Sequence, residues 1–192
     1  PFEIVMHRII WAVPILALVL AVSGKMRQAL GVLADRRTIL TLVGTAALIS
    51  VNWWIFIFAV NSGHVLQASL GYYINPLMSV AVGVIVLREP LGPFRIAAIV
   101  LAALGVANQI IAVGHVPWIS LALATSFTAY GYLRKVAAVD GRIGLFWETS
   151  FNLPIAIVGL ALLQLNGLGH FQESPAQALM LMAAGLVTVV PL

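Results

Sequence analysis

The chain has 192 residues, of which 62% are hydrophobic and 8% are charged, and its net charge is +4. Soluble domains carry about 25% charged residues, so this composition indicates an integral membrane protein and argues against a soluble domain. The sequence contains no cysteine, which excludes disulfides, thiolate metal sites and cysteine nucleophiles.

Two further kinds of site are disfavoured by the pattern of residues. The basic residues form no cluster interleaved with aromatic side chains, so the positive charge does not predict nucleic-acid binding. The histidines lie singly, without the close spacing of a zinc or iron site, and we expect neither a metal nor another cofactor. They are His7, His64, His115 and His170.

Seven apolar segments of about 17–22 residues follow one another along the chain, at 4–22, 39–60, 66–87, 94–113, 117–133, 145–165 and from 176 to the end. A bilayer core needs about 20 apolar residues for each helical crossing. The segments are too long and too uniformly apolar for the alternating strands of a membrane barrel. The sequence therefore predicts an all-α bundle of about seven spans in contact with the lipid bilayer. Because it opens on Pro1 and stops within an apolar run at Pro191-Leu192, we expect a piece of a longer protein.

The charges predict the orientation of the spans. Nine of the ten Lys and Arg residues lie in, or directly beside, the connections 23–38, 88–93 and 134–144, and Arg8 is the exception. These three connections share one side of the membrane if successive spans alternate in direction. The positive-inside rule makes that side cytoplasmic. The opposite connections, at 61–65, 114–116 and 166–175, contain no Lys or Arg.

The third span carries small and polar residues at every fourth position, which places them on one helix face. This stripe consists of Gln67, Gly71, Asn75, Ser79 and Gly83. One interpretation is a close-packing seam, since small residues let helices approach and amides bond a neighbouring helix. The other interpretation is a wall of a polar cavity, to which Tyr72 also belongs. Pro76 adds to the second interpretation, because it cannot donate to the Tyr72 carbonyl and leaves an acceptor for a solute or water.

Two neighbouring spans supply further candidates for a solute cavity. Asn52 lies well inside the second span and must find a hydrogen-bond partner, while Trp53 beside it is too deep for an interfacial aromatic belt. Trp53 is a candidate for stacking on an organic solute, and it is equally a candidate for filling the bundle. In the fifth span Tyr130 is a cavity candidate, whereas Thr125 and Ser126 are also able to bond back to carbonyls of their own helix.

Ionisable groups inside apolar spans are costly and are therefore functional candidates. His7 and Arg8 open the first span, with Trp11 one turn further on, and Glu148 lies one turn into the sixth span. A structural alternative holds for each: His7 and Arg8 are close enough to the outer interface to reach it, and Glu148 is near the inner one. For Glu148 we weigh a role as proton carrier or cation contact against a structural hydrogen bond. Arg8 and Glu148 belong near opposite faces, so we do not pair them.

A shift of 141 residues places His7 on Glu148 and Gly44 on Gly185, each pair lying within apolar helices. If this shift reflects a repeat, an odd number of spans separates the copies. The two halves would then have opposite orientations in the membrane, as in inverted-repeat transporters.

Several short runs resemble the RarD branch of the EamA-type drug/metabolite transporter superfamily. They are HRIIW at 7–11, NW at 52–53, AVN at 59–61, ASLGY at 68–72, INPL at 74–77, ET at 148–149 and LP at 153–154. The stretch 89–106 is similar to the general EamA helix-pair pattern. The resemblance implies ten spans arranged as two inverted five-helix repeats. Residues 1–113 would supply helices two to five of the first repeat, and residues 114–192 helices six to eight of the second.

These observations favour a secondary transporter that moves a small metabolite or drug-like solute across the bacterial cytoplasmic membrane by alternating access. Its cavity would be lined by Asn52, Trp53, Gln67, Gly71, Tyr72, Asn75 and Tyr130. His7, Arg8 and Glu148 are the ionisable candidates, with protons as the candidate coupling ion. The sequence contains no phosphate-binding Gly-Lys-Ser/Thr loop, no Gly-x-Ser-x-Gly elbow and no His-Glu-x-x-His, so we expect neither ATP coupling nor an enzyme. The alternative is a helical membrane subunit or receptor without transport activity.

Overall fold

A computed structural model describes residues 2–114, 116–169, 171 and 174–189. These residues form helices and contain no strand, which confirms the predicted all-α fold. The helices are α1 (Phe2–Val22), α2 (Met26–Gly31), α3 (Arg36–Asn61), α4 (Val65–Ile85), α5 (Pro93–Val113), α6 (Trp118–Ala137), α7 (Gly141–Leu165) and α8 (Pro175–Val189), with a 3₁₀ turn at Val32–Ala34. The expectations for Pro1, His115, His170 and Pro191-Leu192 lie outside the described residues.

Each of the seven predicted spans corresponds to one long helix, with ends that agree within a few residues at most boundaries. Five of these helices, α1, α3, α4, α5 and α7, are long and apolar enough to cross a membrane. Helix α6 carries several hydroxyl side chains and has Arg134 and Lys135 in its last turn, which lowers its hydropathy. Helix α8 has 15 described residues, and the remainder of its predicted span lies outside them. The short helix α2 was not predicted, because segment 23–38 was expected to be a loop.

The chain forms two compact units. The α1 unit comprises Pro1–Ala46 and Ala137–Leu192, and the α4 unit comprises Ala47–Val136. Helix α3 therefore contributes its first part to one unit and the remainder to the other. Each unit contains helices from both predicted repeats. The boundary between the repeats, at residue 113, concerns internal symmetry rather than packing and stays a prediction.

In the α1 unit, helix α1 packs against both α7 and α8. Ala12 and Leu16 form a buried cluster with Val189 of α8, and Leu145 and Phe146 of α7 pack on it. One turn further along α1, Leu20 forms a second buried cluster with Ala29 of α2 and Ile143 of α7. At the other end of α1, a Cβ at Gly159 of α7 would meet the Met6 side chain. The order of these contacts shows that α1 and α7 run antiparallel.

In the α4 unit, the second part of α3 packs with α4 and α6. Ala59, Ala68 and Leu123 form one buried cluster across these three helices. A second cluster joins Leu70 and Ile74 of α4 to Ala124 of α6, and side chains of α5 pack on it. Apolar helix faces thus bring α4 between α5 and α6, and the stripe on α4 is positioned by this packing.

Ion pairs tie helix ends together at the connections that carry most of the basic residues. Lys25 Nζ lies 2.5 Å from Asp140 Oδ2, and Asp140 also caps α7 by accepting the Arg142 N–H at 3.0 Å. The hydrogen bond from Lys25 holds the pKa of the Asp140 carboxyl below its ordinary value. In the α4 unit, Lys135 at the end of α6 pairs with Glu89 after α4. The residues of both pairs belong to connections that the sequence predicts to be cytoplasmic.

Helices α1 and α8 approach each other very closely at Gly185. A Cβ added there would lie 2.5 Å from Trp11 Cβ and 2.9 Å from the Ala12 nitrogen. Real side chains do not pack so closely, and the atoms in contact belong to or adjoin the backbone. Only glycine therefore allows this helix crossing without a shift of one helix.

We predict that Gly185→Ala destabilises the protein by about 1–3 kcal/mol, because α8 must move away from α1. Gly105→Ala on α5 is the matched control, since a Cβ there meets nothing within 4 Å. Alanine is favoured over glycine in a helix by about 1 kcal/mol, so the control should be neutral or stabilising. Thermal unfolding in detergent measures both changes. Equal midpoints for the two variants would contradict the close approach.

Candidate functional site

The stripe on α4 faces α6 along its first half. A Cβ at Gly71 would lie 3.1 Å from Leu123 Cβ and 3.1 Å from the Ser120 carbonyl oxygen, so the two helices nearly touch there. One turn earlier, Ser120 Oγ donates a hydrogen bond to the Gln67 carbonyl at 2.6 Å. The Gln67 side chain is half-buried. At Gln67 and Gly71 the stripe therefore acts as a close-packing seam.

One turn further along α4, the seam becomes polar. Thr128 Oγ1 of α6 donates to Asn75 Oδ1 at 3.0 Å, and Ser79 Oγ lies 3.4 Å from the same oxygen. Asn75 is only half-buried. Pro76 follows it inside the helix and supplies no N–H to the Tyr72 carbonyl. This turn of α4 thus presents polar atoms beside a weakened stretch of helix.

Asn52 links α3 to α6 from the other side. It is 7% exposed, and its Nδ2 donates to the Leu123 carbonyl at 2.9 Å and to Ser126 Oγ at 2.9 Å. Ser126 Oγ in turn donates to the Leu123 carbonyl at 3.1 Å. The expectation that Ser126 bonds back to its own helix is therefore met, and its oxygen also serves Asn52.

These residues enclose a small cleft. It is lined by Asn52, Gly71, Tyr72, Asn75, Leu123 and Phe127, and it measures about 10 Å³. That volume is close to the minimum that one water molecule needs. Pockets for drug-sized ligands measure about 300–1,000 Å³. Four of the seven cavity candidates thus meet in the α4 unit, around a space of the size of a water molecule.

The other three cavity candidates do not line this cleft. Trp53 is half-buried on α3, and Gln67 contributes its backbone carbonyl to the seam. Tyr130 is half-buried on α6, with its ring 5.7 Å from the ring of Phe127. Within the cleft, Tyr72 is the most accessible member, at 60% exposure, and its ring meets the edge of Phe56 at 6.0 Å.

The ionisable candidates lie in the α1 unit. His7 is 3% exposed, and its Nδ1 accepts a hydrogen bond from the Trp11 indole N–H at 3.3 Å. Its ring stacks on Phe171, with the ring centroids 4.7 Å apart. His7 Nε2 lies 3.9 Å from Glu3 Oε1. The neighbouring Arg8 donates from Nε to Thr188 Oγ1 of α8 at 3.0 Å.

Glu148 is buried on α7, with 2% exposure. Asn152 on the next turn donates to the Glu148 backbone carbonyl at 2.9 Å. Leu145 and Phe146, within a turn of Glu148, pack on the cluster that contains Ala12 and Leu16 of α1, and Ile143 packs with Leu20 further along. Leu16 is about two and a half helical turns from His7. Glu148 therefore lies toward the opposite end of α1 from His7 and Arg8.

Two contributors were missed in the sequence. Ser120 was not recognised as a partner of α4, because a serine early in an apolar span carries no signal of which helix it will face. Glu3 was not recognised either, although the spacing Glu3-x-x-x-His7 places both side chains on one helix face. Among the described residues, no group of three or more His, Asp or Glu side chains is placed to hold a metal ion.

Comparisons with known proteins agree on a family. The model of the EamA-like transporter family matches residues 1–108. An uncharacterized transporter of Vibrio cholerae is 42% identical over 99% of this chain and 63% of its own length. Proteins named RarD from Salmonella typhi and Escherichia coli are 40% and 38% identical, over 99% of this chain and 65% and 64% of their own lengths. The chain thus spans just under two thirds of the length of these relatives. No solved structure gives a significant match.

We predict that Asn52→Ala destabilises the protein by about 0.5–2 kcal/mol, the range found for hydrogen bonds between membrane helices. The variant loses both bonds from Nδ2 to α6. Asn61→Ala is the control, because Asn61 is exposed at the end of the same helix and its replacement should change stability by less than about 0.5 kcal/mol. Unfolding of the two variants in detergent gives the comparison. A change no larger in Asn52→Ala than in the control would refute the role of Asn52 in holding α3 to α6.

Proposed function

Because the chain belongs to the EamA-like transporter family, in its RarD-type branch, we propose that it forms part of a secondary active transporter for a small metabolite or drug-like solute. The protein would lie in the bacterial cytoplasmic membrane with connections 23–38, 88–93 and 134–144 on the cytoplasmic side. Residues 1–113 and 114–192 would belong to two inverted repeats. The observation that carries this proposal is a cluster of polar side chains buried between apolar helices in a chain of this family.

The chemistry of the cleft favours a neutral or amphipathic organic solute. Its lining offers amide groups from Asn52 and Asn75 and an aromatic hydroxyl from Tyr72, without a charged side chain. Amides form hydrogen bonds as donors and acceptors, and an exposed tyrosine ring gives an apolar surface with a polar end. Trp53, Gln67 and Tyr130 would join the lining when the cleft is open. No residue in this set would select for an ion.

The size of the cleft supports a proposal of alternating access. With room for about one water, a solute enters only when α4 and α6 separate, and separation breaks the Thr128–Asn75 hydrogen bond. Each such bond contributes about 1 kcal/mol net. Opening therefore costs an amount that solute binding is able to offset. Pro76, which interrupts the hydrogen bonds of α4 beside Asn75, places a point of bending at the site.

A driving force other than ATP is implied by the sequence, which has no phosphate-binding Gly-Lys-Ser/Thr loop. Glu148 is our candidate for coupling to the proton gradient, because a buried carboxyl group exchanges a proton as its access to water changes. Glu148 packs near the other end of α1 from His7 and Arg8, so it is not close to the other two ionisable candidates.

Solute counterflow into liposomes carrying the full-length protein tests the proposal against a panel of labelled metabolites and drugs. We predict counterflow for at least one solute, reduced about five-fold or more in Asn75→Ala because one hydrogen bond to the solute is worth about 1 kcal/mol. Asn61→Ala should retain the unmodified rate. Uptake equal to that of protein-free liposomes for the whole panel would favour the alternative, a subunit or receptor without transport activity.

We predict that Glu148→Gln uncouples transport from the proton gradient while solute exchange continues, because glutamine keeps the shape of the side chain but binds no proton. The measurement is uptake with and without an imposed pH gradient. Glu89→Gln serves as control, since Glu89 is exposed and paired with Lys135 outside the spans. Uptake that responds to the gradient in Glu148→Gln as in the unmodified protein would remove Glu148 from coupling.

A further inference from the structure

The hydrogen bond between His7 and Trp11 fixes the position of the proton on the neutral imidazole. The Trp11 indole N–H donates to His7 Nδ1 at 3.3 Å. An indole nitrogen is a donor only, so His7 Nδ1 must be the acceptor and carries no proton. The proton of the neutral ring therefore sits on Nε2.

His7 Nε2 is a buried hydrogen-bond donor. It makes no hydrogen bond to the described residues, although His7 is only 3% exposed. The nearest carboxylate oxygen, Glu3 Oε1, is 3.9 Å away, which is beyond hydrogen-bond length. Buried donors without an acceptor are rare and call for an explanation.

Glu3 is held in place one turn before His7. Its Oε1 accepts the backbone N–H of Phe171 at 3.0 Å, and the Phe171 ring covers His7. The carboxyl group is itself buried, with 7% exposure of the residue. The carboxylate and the imidazole are therefore both shielded from solvent. Their distance of 3.9 Å is only about 1 Å longer than a hydrogen bond.

A proton on His7 would reverse this arrangement. Imidazolium donates from both nitrogens, so a proton added at Nδ1 makes the Trp11 hydrogen bond impossible. The same charge attracts the Glu3 carboxylate, and a small rotation of the ring closes Nε2–H on Oε1. The site thus has two arrangements: neutral His7 accepts the Trp11 hydrogen bond at Nδ1, and charged His7 loses that bond and draws its Nε2–H toward Glu3.

The remaining charged groups of the surrounding helices do not compete for His7. On α1 itself, Arg8 is directed to Thr188 of α8. The described residues of α8 carry no charged side chain. On α7, Glu148 and Arg142 lie toward the other end of α1, where Leu145 and Ile143 pack. Arg27 of α2 lies at that end as well. Within the part of the chain that the structure describes, Glu3 is therefore the carboxylate nearest to a charged His7.

Trp11 connects this site to the packing of the helices. Its Cβ and carbonyl carbon form the surface on which Gly185 of α8 rests, at a crossing too tight for any added Cβ. If the Trp11 indole moves, it therefore moves next to this tight contact between α1 and α8. Interfaces packed this closely respond to such changes by shifting as bodies.

We propose that Glu3, His7 and Trp11 form a proton-binding switch, in which uptake of a proton at His7 Nδ1 exchanges the Trp11 hydrogen bond for one to Glu3. Its ligand is the proton itself, and its output is the α1–α8 contact. The effect on solute movement rests on the proposed transport function, whereas the exchange of hydrogen bonds does not. Glu3 and Trp11 act as positioning residues for the proton on His7.

Nitrogen-15 NMR of the full-length protein in lipid nanodiscs, labelled at His and Trp, tests the switch. His7→Gln and Trp11→Phe assign the resonances. We expect the neutral His7 ring to show the tautomer protonated at Nε2. As the pH falls through the range in which histidine titrates, the Trp11 indole resonance should move with the same midpoint as the His7 nitrogens.

Two variants should move the His7 midpoint in opposite directions. Glu3→Gln removes the attraction for the imidazolium and should shift the midpoint toward acid by about one pH unit. Trp11→Phe removes the hydrogen bond that holds the neutral ring and should shift the midpoint toward alkali. Asp35→Asn is the control, because the Asp35 carboxylate is exposed in the connection before α3. It should leave the midpoint unchanged. Using both variants protects the test against the misfolding of either one.

A neutral ring protonated at Nδ1, or a Trp11 resonance that stays fixed while His7 titrates, would overturn the switch. So would midpoints that are the same in Glu3→Gln and in the unmodified protein. Coupled titration in a protein that shows no counterflow would support the switch and refute the transport function. Counterflow without coupled titration would refute the switch alone.

Discussion

A polar group that the chain places inside an apolar helix is costly unless it finds a partner within the protein, because hydrocarbon offers none. This constraint organises the α4 unit. Asn52 reaches across to α6 for both of its donor bonds, and Asn75 accepts from Thr128 of the same helix. Helix α6 is consequently the common partner of α3 and α4. Its hydroxyl side chains, which lower its hydropathy, are the groups that hold the unit together.

Small residues set how closely the helices approach before those bonds form. In the α4 unit, Gly71 brings α4 against Ser120 and Leu123, and in the α1 unit Gly185 brings α8 against the backbone of α1. Between helices that face lipid, hydrophobic attraction is weak, so packing at short distance and interhelical hydrogen bonds carry the association. Glycine therefore contributes where it allows contact, and it contributes little at positions such as Gly105, where nothing lies near.

The sequence predicts the helices well and their partners poorly, for a physical reason. Lengths and uniform apolarity determine that these segments are helical spans, and the four-residue spacing of Gln67, Gly71 and Asn75 determines that they share a face. Neither property predicts which neighbouring helix packs against this face of α4. The choice of α6 depends on the matching of Ser120 and Thr128 to positions on α4, a relation between residues about 53 positions apart. Glu3 was missed for a related reason: its proximity to His7 is local, but its burial beneath Phe171 is not.

The two interpretations of the α4 stripe, a packing seam and a cavity wall, describe one structure under the proposed function. In the closed arrangement the amides of Asn52 and Asn75 bond to α6, and the space between them has about the volume of one water molecule. If α4 and α6 separate, the same amides lose their protein partners and must bond to water or to a solute. Opening the seam therefore costs free energy, and a solute that forms hydrogen bonds with those amides offsets part of that cost. A seam without these hydrogen bonds would cost less to open but would offer a solute no hydrogen bonds to replace, so polarity at Asn75 and Asn52 links closure to recognition.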